Sequence, residues 1–138
     1  MATEPGVSLT AAAEPASLDR VHALLETVWA AHEDVGPADR MSFAIAVTEI
    51  AGNIVAHSGS GRPLVFSLHV DVEPEELRAE FEDPGGRVDV DLSAVRMPDD
   101  LAESGRGLAL ALGCVDRLEY RREGDTNHWR MVRRRADA

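Results

Sequence analysis

The chain has 138 residues, 44% of them hydrophobic and 28% charged, which fits one globular domain with enough apolar side chains for a single core. A formal net charge of -11 leaves no general cationic face for a phosphate backbone, so direct nucleic-acid binding is not expected. The one cysteine, Cys114, excludes an internal disulfide and a cysteine-built zinc cluster; no secretory or membrane-spanning stretch is visible, so a cytoplasmic setting without membrane contact is expected.

Residues 1–6 read as a loose end and Val7–Ala13 as a weakly alternating first strand. From Ala16 to Asp34 the residues Leu18, Val21, Leu24, Leu25, Val28 and Trp29 fall on one side of a helix, with Ser17 or Asp19 as the N-cap oxygen. Gly36-Pro37 ends that helix and opens a second one, Ala38 to His57, which the turn residues Ser58-Gly59-Ser60-Gly61 close. Residues 63–72 alternate, with Leu64, Phe66, Leu68 and Val70 against Val65, Ser67, His69 and Asp71. After a turn at Glu73-Pro74-Glu75-Glu76, Leu77–Phe81 forms the second arm of a hairpin, with Leu77, Ala79 and Phe81 inward. Arg87–Ser104 has no periodicity, and a long irregular segment in a compact domain is often a lid or binding loop. Gly107–Cys114 restarts a helix, and Arg117–Arg122 and His128–Arg134 read as final strands separated by Glu123-Gly124-Asp125. The basic run Arg133-Arg134-Arg135 reads first as solvated and second as a contact patch, and residues 135–138 as a loose tail. The grouping predicts an α/β class, an α+β two-layer sandwich whose mixed, mostly antiparallel sheet carries helices on one face.

Three patches carry chemistry. On the second helix Glu49, Asn53 and His57 follow at four-residue steps and therefore share a face. A carboxylate and a carboxamide on an otherwise apolar helix are costly to bury without a partner. Magnesium takes one or two protein oxygens and completes its shell with phosphate and water, so the Asn53 amide oxygen suits it, and Glu49 one turn earlier suits a general base. Asp83-Pro84-Gly85-Gly86 follows a strand; a carboxylate there accepts from an exocyclic amine such as that of adenine, and glycine lets a flat base approach the backbone. The plain alternative is an ordinary turn. Gly105-Arg106-Gly107-Leu108 opens an apolar helix, where exposed N–H groups, the helix dipole and the Arg106 cation favour phosphate. It is neither a Walker loop nor a dinucleotide fingerprint. His22, His32, His69 and His128 have no metal-ligand spacing and read as surface or packing residues.

In this order the patches resemble the GHKL ATPase fold of gyrase, Hsp90, histidine kinases and MutL, nearest within it to the bacterial anti-sigma-factor serine/threonine kinases of the RsbW/SpoIIAB type. Glu49 to Asn53 with His57 resembles the N box, Asp83-Pro84-Gly85 the first glycine box, Gly105 to Leu110 the second, and Val115–Tyr120 with Gly124–Trp129 the closing hairpin. The resemblance implies a Bergerat ATP-binding fold over the single domain 1–138, with ATP and Mg2+ as cofactors. It makes Asn53 the metal ligand and Glu49 the base. Asp83 would hold the adenine amine above Gly85, with Gly105, Arg106, Gly107 and Leu108 at the phosphates, Thr126 near the adenine and residues 87–104 as the ATP lid. It further implies a kinase and anti-sigma factor whose partners are a sigma factor of RNA polymerase and a STAS-type antagonist phosphorylated on Ser or Thr, with homodimers common in the family. One position departs: the glycine usual two residues after Gly85 is Arg87. That departure motivates the alternative of a non-catalytic, partner-sequestering module; a stand-alone histidine-kinase-like ATPase is a further one.

Overall fold

The structure, a computed structural model, describes residues 6–57, 64–86 and 106–136. Its elements are β1 (Val7–Ala12), α1 (Ser17–Ala31), α2 (Pro37–His57), β2 (Val65–Val72), β3 (Glu76–Asp83), α3 (Arg106–Cys114), β4 (Arg117–Glu123) and β5 (Thr126–Arg134). The strands form one sheet in the order β1-β2-β3-β5-β4. Where a mixed, mostly antiparallel sheet was expected, every pairing among these strands is antiparallel.

Alternation along the strands decides what the sheet buries. Phe66, Leu68 and Val70 of β2, Leu77, Ala79 and Phe81 of β3, and Trp129 and Met131 of β5 turn to one face and are buried there. Each large side chain so removed from water contributes about 1.5–3 kcal/mol. The helices cover this face. Phe43, Ala46, Val47, Ile50, Ala51 and Ile54 recur at three- and four-residue steps and form the buried face of α2. The α1 stripe of Val21, Leu25, Val28 and Trp29 is buried as the spacing predicts, with Trp29 edge-on to Phe43 at 6.1 Å between ring centroids. Among the described residues no helix is long and apolar enough to cross a membrane.

Two local expectations are corrected. Neither Ser17 nor Asp19 caps α1; Ala16 is the cap residue and makes no side-chain bond. The preceding turn already supplies acceptors, since Ser17 N, Leu18 N and Asp19 N bond to the carbonyls of Glu14, Pro15 and Ala16, and Ser17 is buried instead. Nor is the basic run solvated throughout. Arg133 Nε donates to Asp39 Oδ1 at 3.0 Å and its Nη1 to the Cys114 carbonyl at 2.8 Å. Arg135 donates to the Glu73 carbonyl at 2.9 Å and to Asp34 Oδ2 at 2.6 Å, and Ala136 N reaches Asp39 Oδ2 at 3.0 Å. Arg133, Arg135 and Ala136 are tied to the start of α2, to Asp34 before it and to the β2–β3 turn.

The link from Asp39 through Arg133 to the end of α3, together with Glu49 against Gly107 at its beginning, makes α2 and α3 antiparallel neighbours. β4 and β5 join through Gly124-Asp125, where Gly124 has φ 56°. A glycine at the first central position suits a two-residue hairpin of type II′.

Candidate functional site

The inward row of β3 runs Leu77, Ala79, Phe81 and ends on Asp83, so alternation delivers a carboxylate where another apolar residue would continue the core. Asp83 is only 7% exposed. Burying a carboxylate needs hydrogen-bond donors, and the turn provides one: Gly85 N donates to Asp83 Oδ1 at 2.8 Å. A Cβ on Gly85 would lie 2.7 Å from that same oxygen, so the position requires glycine for close approach.

The second donor is a residue the sequence reading did not single out. Asn127 pairs with Asp83 across β3 and β5, is 1% exposed, and donates Nδ2 to Asp83 Oδ1 at 3.1 Å. The same nitrogen reaches the Gly86 carbonyl at 2.9 Å and the Gly85 carbonyl at 3.3 Å. Asn127 Oδ1 accepts from the Tyr120 hydroxyl and from Arg122 Nη1 at 2.9 Å, and that guanidinium nitrogen also donates to the Gly85 carbonyl at 2.8 Å. Among the described residues nothing bonds the remaining oxygen of Asp83. A usable signal existed: counting back by two from the inward Met131 and Trp129 puts Asn127 on the inner face.

Thr126, the residue expected near the adenine, sits one position earlier and alternates with Asn127, and it lines a shallow hollow with Thr10, Ser67, Asp83 and Pro84. The side chain beside the Asp83 carboxylate is that of Asn127. From α2, Asn53 and Ile54 line one cavity with Asp83, Gly85, Gly86, Asn127 and Trp129. Trp129 Nε1 is buried and has no hydrogen-bond partner among the described residues. Glu49, one turn before Asn53, is directed at the first turn of α3: a Cβ on Gly107 would lie 2.6 Å from Glu49 Oε2. Gly107 leaves room for the carboxylate in its present position. Leu108 is half-buried and packs against the core. Gly105, Arg87 and the expected lid 87–104 lie outside the described residues, as do the side chains of Arg106 and His57.

The geometry brings together Asn53 with the Asp83–Gly86 turn, and Glu49 with the start of α3, on the helix-covered face at the β3/β5 end of the sheet. A sequence model of the histidine kinase-like ATPase domain matches residues 11–133. The chain belongs to that family. The ATPase domain also superposes on a solved structure of the RsbU and RsbW domains of Rv1364c from Mycobacterium tuberculosis, with a TM-score of 0.68 and 18% identity over 95% of this chain. At that identity the likeness establishes the GHKL-type fold. The chain spans 32% of the length of that structure. No curated protein matches it significantly.

ATP binding follows from the family, and the residues present fit it. Asp83 offers an acceptor oxygen without a described partner in the cavity that Asn53 also lines, and glycine at 85 keeps the turn close against that carboxylate. Glu49 and Asn53 supply hard oxygen donors on one helix face, of the kind that suits magnesium shared with phosphates.

Proposed function

We propose that this ATPase domain is an ATP-dependent serine/threonine protein kinase and anti-sigma factor, which sequesters a sigma factor of RNA polymerase and phosphorylates a STAS-type antagonist on Ser or Thr. The observation that carries the catalytic half of this reading is the joint placement of Glu49 and Asn53 beside the two glycine turns, three stretches of chain far apart in sequence. Bound ATP and Mg2+ would supply the transferable phosphoryl group and neutralise its charge. Asn53 holds the metal through its amide oxygen. Asp83 orients the base through the exocyclic amine. Glu49 accepts the proton of the incoming hydroxyl, and the first turn of α3 presents N–H groups to the phosphates. Positioning and charge neutralisation account for most of phosphoryl transfer, and this arrangement provides both. Support for the anti-sigma role is of a different kind: the fold is shared with a structure that contains an RsbW domain.

The test is transfer of labelled phosphate from ATP to a STAS-type antagonist, with Glu49→Gln as the variant. Transfer is expected to fall about 10²-fold or more, with ATP affinity within about threefold of the parent. Undiminished transfer in Glu49→Gln removes Glu49 as the base.

A further inference from the structure

Asn127 is the most heavily bonded side chain in the described part of the molecule, and nothing in its own chemistry requires that density. Its amide orientation is fixed by its neighbours. Oδ1 faces two donors, the Tyr120 hydroxyl and Arg122 Nη1, whereas Nδ2 faces only acceptors, Asp83 Oδ1 and the carbonyls of Gly85 and Gly86. A flipped amide would set donor against donor and acceptor against acceptor. Tyr120 and Arg122 lie on β4, an edge strand, and Tyr120 is braced by its ring against Trp129 at 4.7 Å between centroids. The β4 edge is therefore wired through one carboxamide to the turn that carries Asp83.

The wiring has a chemical consequence at the carboxylate. Asp83 Oδ1 is saturated by Gly85 N and Asn127 Nδ2. Among the described residues no donor reaches the other oxygen, which is left as an acceptor with a fixed direction. An acceptor so held rewards a ligand that donates there and repels one that presents a carbonyl, because the mismatch leaves a desolvated carboxylate facing an oxygen.

We infer that Asn127, held by Tyr120 and Arg122, is the positioning residue that sets the purine selectivity of the ATP site by aiming the second oxygen of Asp83 at the exocyclic amine of the base. This rests on the nucleotide-site reading above and goes beyond it in assigning selectivity to a side chain that acts through Asp83. An isosteric carboxylate in place of Asn127 loses both N–H donors and sets a second negative charge beside Asp83, so it breaks the aim without emptying the space.

The experiment is titration calorimetry of the full chain with ATP and with inosine triphosphate, which carries a carbonyl where adenine carries the amine. The parent is expected to prefer ATP by about tenfold or more, as a site built to accept from an N–H discriminates against a ligand lacking it. In Asn127→Asp the preference should collapse to within about threefold, mainly through weaker ATP binding. Tyr120→Phe, which keeps the ring on Trp129 and removes only the hydroxyl, should give an intermediate ratio with an unchanged thermal midpoint, and it carries the test if Asn127→Asp fails to fold. A role in packing alone would lower the midpoint and leave the ATP-to-inosine ratio where it was; that outcome overturns the inference while the nucleotide site stands. A parent chain that binds neither nucleotide overturns the site reading itself, and the selectivity role with it.

Discussion

Asp39 and Asp83 are both acids buried on the helical side of the sheet, at 3% and 7% exposure, and their surroundings differ in one decisive respect. Asp39 is closed: the Arg133 guanidinium neutralises one oxygen at 3.0 Å and Ala136 N takes the other at 3.0 Å, while its place in the first turn of α2 adds a favourable helix dipole. Among the described residues Asp83 has only neutral N–H donors, all on one oxygen, and the nearby cation, Arg122, bonds to Asn127 and the Gly85 carbonyl. One carboxylate ties Arg133 and Ala136 to α2; the other, on the reading proposed above, faces the nucleotide. The difference teaches where the fold is finished and where it is left incomplete on one side.

The largest expected effect comes from breaking the closed pair. Arg133→Met leaves Asp39 buried with half its partners, and removing one member of such a pair costs about 3 kcal/mol. Urea denaturation should show a loss of that order, with a smaller loss in Asp39→Asn/Arg133→Met, where no uncompensated charge remains. Near-equal stabilities for the single and the double variant would mean that the two acids differ less than their partners suggest.

The complementary change at the other acid should move binding rather than folding. Asp83→Asn keeps the size of the side chain and removes the charged acceptor offered to the base. ATP affinity is expected to fall about 10- to 100-fold, the weight of a hydrogen bond to a charged group, with a stability change below about 1 kcal/mol. If calorimetry finds ATP affinity intact and urea finds the domain weakened, Asp83 is a structural acid like Asp39.

How much of this contrast was readable in the sequence depends on how local its causes are. The inward rows Phe66-Leu68-Val70 and Leu77-Ala79-Phe81 and most of the α1 stripe are periodic signals within a few residues, and they stand in the structure as expected. The strand before Trp129 was begun two residues late, at His128 instead of Thr126, which hid the inward register of Asn127. The anchoring of Arg133 and Arg135 was not legible at all: their partners Asp34, Asp39 and Glu73 lie far back along the chain, and composition alone makes an arginine run beside a terminus look solvated. Ser17 and Asp19 had the chemistry of caps, but the backbone carbonyls of Glu14, Pro15 and Ala16 took that task. Propensity proposes candidates; long-range pairing selects among them.

Gly107 sharpens the comparison from the catalytic side. Gly107→Ala places a methyl 2.6 Å from Glu49 Oε2, the far end of a flexible side chain, so the carboxylate yields and the backbone does not. Alanine also gains up to about 1 kcal/mol over glycine inside a helix. The expected result is a domain at least as stable by urea denaturation, with phosphate transfer reduced several-fold because a displaced base loses its alignment. A variant that is more stable and equally active would show that Glu49 does not need its present position.

The smallest effect belongs to the exposed end of the same anchor that holds Arg133. The side-chain hydrogen bond from Arg135 holds the Asp34 carboxyl below its ordinary value of 3.8, against a smaller opposing push from desolvation. A carboxyl that binds its proton less readily in the folded chain than in the unfolded one adds stability above the ordinary value, and that contribution is lost as pH falls through 3.8 and on toward the lowered folded value. Asp34 is 68% exposed in its side chain, so water and salt screen the pair. Asp34→Asn is therefore expected to leave the thermal midpoint at pH 7 nearly unchanged, slightly lower in low salt, and to flatten the midpoint's decline below pH 4 by a small margin. At pH 7 the midpoint loss in Asp39→Asn should be larger, because that carboxylate is buried against Arg133 and Ala136 N, and in 1 M salt the Asp34 effect should vanish while the Asp39 effect persists. An Asp34 effect that survives 1 M salt would place this acid with the closed pair, and the anchor would then extend to the surface.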